Sequence, residues 1–125
     1  MIKYGVFLAC LMGPFALQNV NLDKHVIRTH TNGHPYVVIY TQGEQNERVR
    51  EELYYPNGNL DYVGNYQNGM EHGEWIYYWE NGNLKSYEMY EEGIEQGVGY
   101  EYDDNGKKIK ELHYMNGILV KEVNL

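Results

Sequence analysis

The chain is 125 residues long, about one domain, with ten Lys plus Arg against eighteen Asp plus Glu, a formal charge of −8 and a pI near 5.0. That balance excludes long-range attraction to nucleic-acid phosphates or to an anionic membrane surface, so neither nucleic acid nor membrane lipid is expected as a partner. Hydrophobic residues make up 42%, but fourteen Tyr against two Phe put hydroxyls on much of the apolar area, which suits half-wet sheet faces, and a single Cys excludes an internal disulfide.

In chain order, residues 1–18 read as a signal peptide. Lys3 supplies a positive start, an apolar run follows over residues 4–16, and Gly13-Pro14 breaks it before the polar Gln18-Asn19-Val20-Asn21. The run is too short for a comfortable membrane span. The expectation is an apolar helical leader cut near residues 16–18, and a mature chain exported to the periplasm, the outer envelope or the medium.

Residues 19–53 read as a divergent first copy of a repeat and a linker. Asn32-Gly33, Tyr40 and Gly43 carry its traces, followed by a longer stretch over residues 44–53. His25, His30 and His34 cluster here, and His30 to His34 has the spacing of a helical metal pair. Thr29-His30-Thr31-Asn32-Gly33-His34-Pro35 is a turn sequence, however, so the set is read as polar turn residues and no metal is expected.

Residues 54–125 repeat with a fixed period of 24. Gly58, Gly82 and Gly106 keep it, each after an Asn; so do Gly69, Gly93 and Gly117, Tyr54, Tyr78 and Tyr102, and Tyr66, Tyr90 and Tyr114. Asn-Gly between aromatic and β-branched runs predicts a type I′ hairpin turn, in which both central residues hold positive φ. Tyr54-Tyr55-Pro56-Asn57-Gly58-Asn59-Leu60 and Tyr77-Tyr78-Trp79-Glu80-Asn81-Gly82-Asn83-Leu84 each mark one such tight turn. Gln67-Asn68-Gly69-Met70-Glu71-His72-Gly73 marks a looser return, so each unit is two strands. Ile76, Tyr78, Tyr100, Tyr102 and Tyr54 fall on one face, and Trp75, Tyr77 and Trp79 on the other. Rings on both faces point to an all-β, single-layer antiparallel β-meander stabilised by stacking of adjacent units.

The pattern Tyr-x-x-Asn-Gly, then a Tyr eight residues on, then x-x-Gly-x-x-x-Gly closely resembles the MORN-type repeat over residues 52–120, with an extension through the divergent copy to Thr31. Tyr-Tyr-Trp-Glu-Asn-Gly-Asn-Leu-Lys-Ser and Tyr-Gln-Asn-Gly-Met-Glu-His-Gly-Glu-Trp resemble the bacterial variant labelled a YwqK-family antitoxin. The resemblance implies a meandering sheet and a role in protein binding or scaffolding, with no reaction. In the third unit Lys107 and Lys108 replace the Asn-Leu after the turn Gly, and Lys121 stands where a second Gly is expected. That departure reads as a capping repeat.

No motif for chemistry is present: no Gly-x-Ser-x-Gly, phosphate loop, dinucleotide fingerprint or His-Glu-x-x-His. A carboxylate pair such as Glu74 with Glu101 has no nucleophile or opposing charge beside it in sequence. Asp103-Asp104-Asn105-Gly106 matches a calcium loop only until Leu112 takes the place of the bidentate Glu. His72 and His113 sit singly. The chain is therefore read as a non-enzyme with no cofactor. Residues 71–104 hold ten acidic residues and one basic, Lys85, a net charge of −9. One reading makes this charge an edge defence against sheet aggregation. The functional reading makes it a surface for a basic protein, in which Glu71, Glu74, Glu80, Glu88, Glu91, Glu92, Glu95 and Glu101 steer association and Trp75, Tyr77 and Trp79 anchor it. The alternative, from a different functional class, is an antitoxin or immunity protein that neutralises a basic, nucleic-acid-directed toxin by covering its active cleft.

Overall fold

The computed structural model describes residues 21–125, so the expected leader lies outside the described residues. The runs rich in Tyr, Val and Ile all become strands, and no helix occurs among the described residues. The strands are β1 (Asp23–Thr29), β2 (Pro35–Gln42), β3 (Glu47–Tyr54), β4 (Leu60–Gln67) and β5 (Met70–Tyr78). After them come β6 (Leu84–Glu91), the two-residue β7 (Ile94–Glu95), β8 (Gly97–Tyr102), β9 (Lys108–Met115) and β10 (Ile118–Asn124). They form one antiparallel sheet in chain order, with β7 pairing β6 ahead of a break at Gln96. The stretch that separates the divergent copy from the next unit contributes most of β3 to this same sheet.

Alternation along each strand builds two faces. On the first face Val26, Val38, Glu52, Val63, Ile76, Tyr87, Tyr100 and Glu111 stand directly opposite one another across eight strands. Within this row Val38 is fully buried, and Val63 and Glu52 nearly so. A buried carboxylate needs partners, and Glu52 accepts from the hydroxyls of Tyr40 (3.0 Å) and Tyr54 and ion-pairs with Arg50. Burial, with Glu52 next to it, pushes the Tyr40 hydroxyl up to about 12. On the opposite face a second row runs Val37, Leu53, Tyr62, Tyr77, Ser86, Glu101, Lys110 and Asn124. The assignment of Ile76 and Tyr100 to one face and Trp75 and Tyr77 to the other holds.

The two kinds of turn exchange the roles expected of them. At Tyr55-Pro56-Asn57-Gly58 the Gly58 N–H donates to the Tyr55 carbonyl (2.9 Å) and the Tyr55 N–H to that of Asn59 (2.8 Å), and the units starting at Trp79 and Asp103 repeat this. Of the Asn-Gly pair only the Gly has positive φ, near 90°. This is a three-residue loop, a type I turn closed by a left-handed Gly, and not the type I′ turn expected there. The type I′ turns are the returns: Asn68 and Gly69 have φ of 52° and 78°, Glu92 and Gly93 51° and 80°, Asn116 and Gly117 51° and 76°. Only two residues separate the paired strand ends at each, Gln67 from Met70, Glu91 from Ile94, Met115 from Ile118, and two-residue loops demand that geometry.

The three-residue turns stack along one end of the sheet, and side chains of each donate to the backbone of the next. The ring nitrogen of His30 donates to the Tyr54 carbonyl (2.7 Å), the Tyr55 hydroxyl to Tyr78 (2.9 Å) and the Trp79 indole to Tyr102 (3.2 Å). Asn32 and His34 converge on the Pro56 carbonyl, Asn57 and Asn59 on that of Glu80, and Asn81 and Asn83 on that of Asp104, all within 2.6–3.0 Å. The divergent copy is thus a full structural unit, and His30 and His34 are its ladder donors and not spare polar turn residues. In the last turn Asp103 replaces the ring donor and Lys107 the Asn, and the Asp103 carboxylate accepts from the N–H groups of Asn105 and Lys107 in its own turn. The ladder ends there.

Candidate functional site

The face that carries Trp75 also carries Glu88 and Glu95. Trp75 is only 8% exposed because it lies flat on Gly64, its cross-strand partner, where a Cβ would meet the ring at 2.7 Å. Its indole N–H donates to the Asn65 carbonyl at 3.1 Å. Around it pack Tyr62 (5.6 Å between centroids, stacked), Tyr66 (5.3 Å, edge-on) and Tyr90 (5.7 Å), and Tyr77 packs on Tyr62 (5.6 Å). On the β3 side the cluster is neutralised: Tyr62 donates to Glu51, Arg48 pairs with Glu51 at 3.1 Å, and the Arg48 guanidinium lies 3.9 Å from the Tyr66 ring centroid.

On the β8 side the charge is left open. Glu88, opposite Trp75, accepts a hydrogen bond from Tyr90 (3.2 Å), and burial together with the Glu101 charge holds its carboxyl above the usual range. Glu95, opposite Tyr90, is raised by burial and by Glu88, with a Tyr114 hydrogen bond opposing. Burial and these carboxylates push the Tyr77 hydroxyl up to about 12 and raise those of Tyr90 and Tyr114. Glu101 pairs with Lys110 at 3.3 Å, whereas among the described residues no cation pairs with Glu88 or Glu95. Such an arrangement can hold a cationic side chain. It holds no activated nucleophile, and no group of His, Cys, Asp and Glu among the described residues has the geometry of a metal site.

The eleven residues expected to bind a partner divide. Glu71, Trp75, Tyr77, Glu88, Glu95 and Glu101 share this face. Glu74 lies on the other one, opposite Met89, where it accepts from Tyr87 (3.2 Å), because it is the immediate neighbour of Trp75 in β5 and successive strand residues alternate between faces. Glu80 belongs to a three-residue turn, and Glu91 and Glu92 to a type I′ turn at the other end of the sheet. Trp79 is bound into the ladder, with Lys85 over its ring at 4.7 Å, so its place is between units and not on the aromatic cluster. Edge defence is overturned as well: residues 71–104 build β5 to β8, interior strands, while the edges are β1 and β10. Tyr62, Arg48 and Glu51 were missed, and the signal that could have found Tyr62 was its place one hairpin away from Tyr77. Tyr66, Tyr90 and Tyr114, singled out for their spacing alone, turn out to line the same face.

The surface here is open. Two concavities, of about 320 and 790 Å³, lie towards the return-turn end, the first lined by His72, Met89, Tyr90 and Gln96 and the second by Gln42, Glu47 and Asn68.

Residues 49–68, 71–92 and 95–116 match the MORN repeat variant, about half of the chain. No curated protein matches. Among solved structures, a chain of a glycosylation-associated protein complex from Streptococcus agalactiae is similar, with 17% identity and a TM-score of 0.48. The likeness covers 94% of this chain and 20% of that one, so this chain spans about a fifth of that chain's length.

Proposed function

We propose, for a chain that belongs to the MORN repeat variant family, a non-enzymatic role: it binds a basic protein on the face built by Trp75, Tyr77, Glu88, Glu95 and Glu101. One observation carries this reading. Glu88 and Glu95 are half-buried among tyrosine rings with no cation paired to them among the described residues, an arrangement that costs stability in the free protein and that an incoming Lys or Arg would relieve. Tyr77 and Tyr90 offer ring faces to the same cation. Trp75, already covered, supports the site from beneath.

The test uses a natively captured partner. Association should slow as salt rises from about 50 mM to about 500 mM, which shortens the screening length from roughly 14 to 4 Å. Glu88→Gln and Glu95→Gln should slow association, with Glu80→Gln and Glu92→Gln at the turn ends as near-silent controls; Tyr77→Ala should speed dissociation. Glu88→Gln should also raise the melting temperature at neutral pH, since it removes a buried charge. Loss of both stability and binding would make Glu88 a structural residue. Binding indifferent to salt would end the proposal.

Export and the antitoxin role are separate proposals resting on residues 1–18 and on the unit wording. The N-terminus of the mature chain separates them: removal of about 16–18 residues supports export, and a cytoplasmic chain starting at Met1 supports an antitoxin.

A further inference from the structure

The six Asn-Gly steps of this chain are alike in sequence and in exposure. They fall at Asn32, Asn57, Asn68, Asn81, Asn105 and Asn116, and every one of these residues and its Gly is exposed. Asn-Gly is the dipeptide in which the following backbone nitrogen reaches the side-chain amide with least hindrance, since Gly has no Cβ. Attack there needs that nitrogen free of its hydrogen bond.

The fold withholds it at five of the six. Gly33 donates to the His30 carbonyl (2.9 Å), Gly58 to Tyr55 (2.9 Å), Gly82 to Trp79 (2.8 Å) and Gly106 to Asp103 (3.0 Å), each closing its own three-residue turn. Gly117, in a type I′ turn, donates instead to the Glu95 carbonyl of the preceding unit (2.9 Å), as Gly93 does to Glu71 (2.8 Å). Gly69 occupies the same place one unit earlier, yet among the described residues its N–H has no acceptor. The reason lies in the divergent copy. The residue 24 before Glu71 is Glu47, which follows a longer turn at Gly43–Asn46 and not a two-residue one. Glu47 spends its side chain on the Asn68 N–H (3.0 Å) and leaves Gly69 unserved. A Cβ built at Gly69 would meet nothing within 4 Å, so the turn has room to move.

We infer that Asn68 is a site of spontaneous deamidation in the folded protein, and that the same fold protects the other five. The Gly69 nitrogen loses its proton to solvent base and bonds to Asn68 Cγ, the Cγ–N bond breaks, and ammonia leaves with a five-membered succinimide behind it. Water then opens the ring at either carbonyl, giving aspartate or isoaspartate with no oxidant, reductant or enzyme required. Either product places a new negative charge beside Glu47. Isoaspartate also lengthens the backbone of a turn that has only two residues to spare.

The full chain is incubated at mildly alkaline pH, digested, and each Asn-Gly peptide followed by mass spectrometry, with isoaspartate resolved chromatographically. Breaking one backbone hydrogen bond before attack should slow the protected sites by about threefold to tenfold relative to Asn68. The same incubation in urea should bring all six to similar rates, which shows that the ranking belongs to the fold. Conversion of Asn68 no faster than that of Asn81 or Asn116 in the folded chain would overturn the inference. So would a native-state ranking that persists unchanged in urea, or an Asn68 that stays intact while the urea sample reacts.

Discussion

Replacing Gly64 by Ala tests the arrangement on which the aromatic face stands. The new methyl would sit 2.7–2.8 Å from three atoms of the Trp75 ring, where carbon pairs normally stay about 3.5–4.0 Å apart, so the ring must lift by about 1 Å. Lifting it strains the 3.1 Å bond to the Asn65 carbonyl and the contacts with Tyr62, Tyr66 and Tyr90. Overpacking of this kind costs about 1–3 kcal/mol. Swinging the indole into water instead would cost about 4–6 kcal/mol at 25 cal/mol per Å² for a ring of 150–250 Å², so displacement wins and the smaller figure is expected. The assay is urea unfolding followed by circular dichroism, in the wild-type and in a Trp75→Val background. Without the indole, Gly64→Ala should be neutral or should stabilise by up to about 1 kcal/mol, because Ala restricts the unfolded chain. The two backgrounds should therefore differ by about 1–4 kcal/mol. An equal effect in both would refute the ring-on-glycine packing.

Asn81→Ala removes a bond to the next turn and one within its own, and should cost about 1–2 kcal/mol, whereas Asn105→Ala, at the end of the ladder, should cost less than half of that; equal urea midpoints would disprove the inter-turn ladder. Tyr40 and Tyr77 have their hydroxyls raised from 10.0 to about 12, so the unfolded chain ionises first as pH climbs. The stability they confer is complete below about pH 10 and is lost between about pH 10 and about pH 12, which chemical denaturation across that range should show as a decline partly removed by Tyr77→Phe.

The strands, their faces and their order in the sheet follow from features that sequence displays openly: a fixed spacing of Gly and Tyr, and period-two alternation through Ile76, Tyr78, Tyr100 and Tyr102. Turn type does not. Asn-Gly satisfies both kinds of loop, since each places the Gly at positive φ, and the decision falls to how many residues separate the hydrogen-bonded strand ends. The ladder is hidden for a different reason. Its acceptors are carbonyls of Pro56, Glu80 and Asp104, and a backbone carbonyl carries no mark of residue type. The donors His30, Tyr55 and Trp79 look unrelated in sequence because the only property they share is a polar hydrogen at the rim of a ring. Glu74 and Glu88 look equivalent as well, until the cross-strand register, which pairs Glu74 with Met89 and Glu88 with Trp75, places them on opposite faces.

The division of labour between the ends and the faces of the sheet bears on how a single layer can carry a charged site at all. A half-buried carboxylate without a cation weakens the sheet locally, and a chain that relied on its faces alone for cohesion could not tolerate two of them side by side. Here each junction between units is also held at the sheet's end by three donors from one turn to the backbone of the next, and two of the three junctions are held at the other end too, by the Gly93 and Gly117 N–H groups reaching back one unit. Apart from the Gly117 N–H, which uses the Glu95 backbone carbonyl and not its carboxylate, those bonds lie away from Glu88 and Glu95, so occupation of the face need not disturb them. A partner would then gain what the free chain forgoes at Glu88 and Glu95, while the repeat stack stays as it is. Affinity and free-protein stability should accordingly move in opposite directions on substitution at these two carboxylates, and together at Trp79, whose indole belongs to the junction.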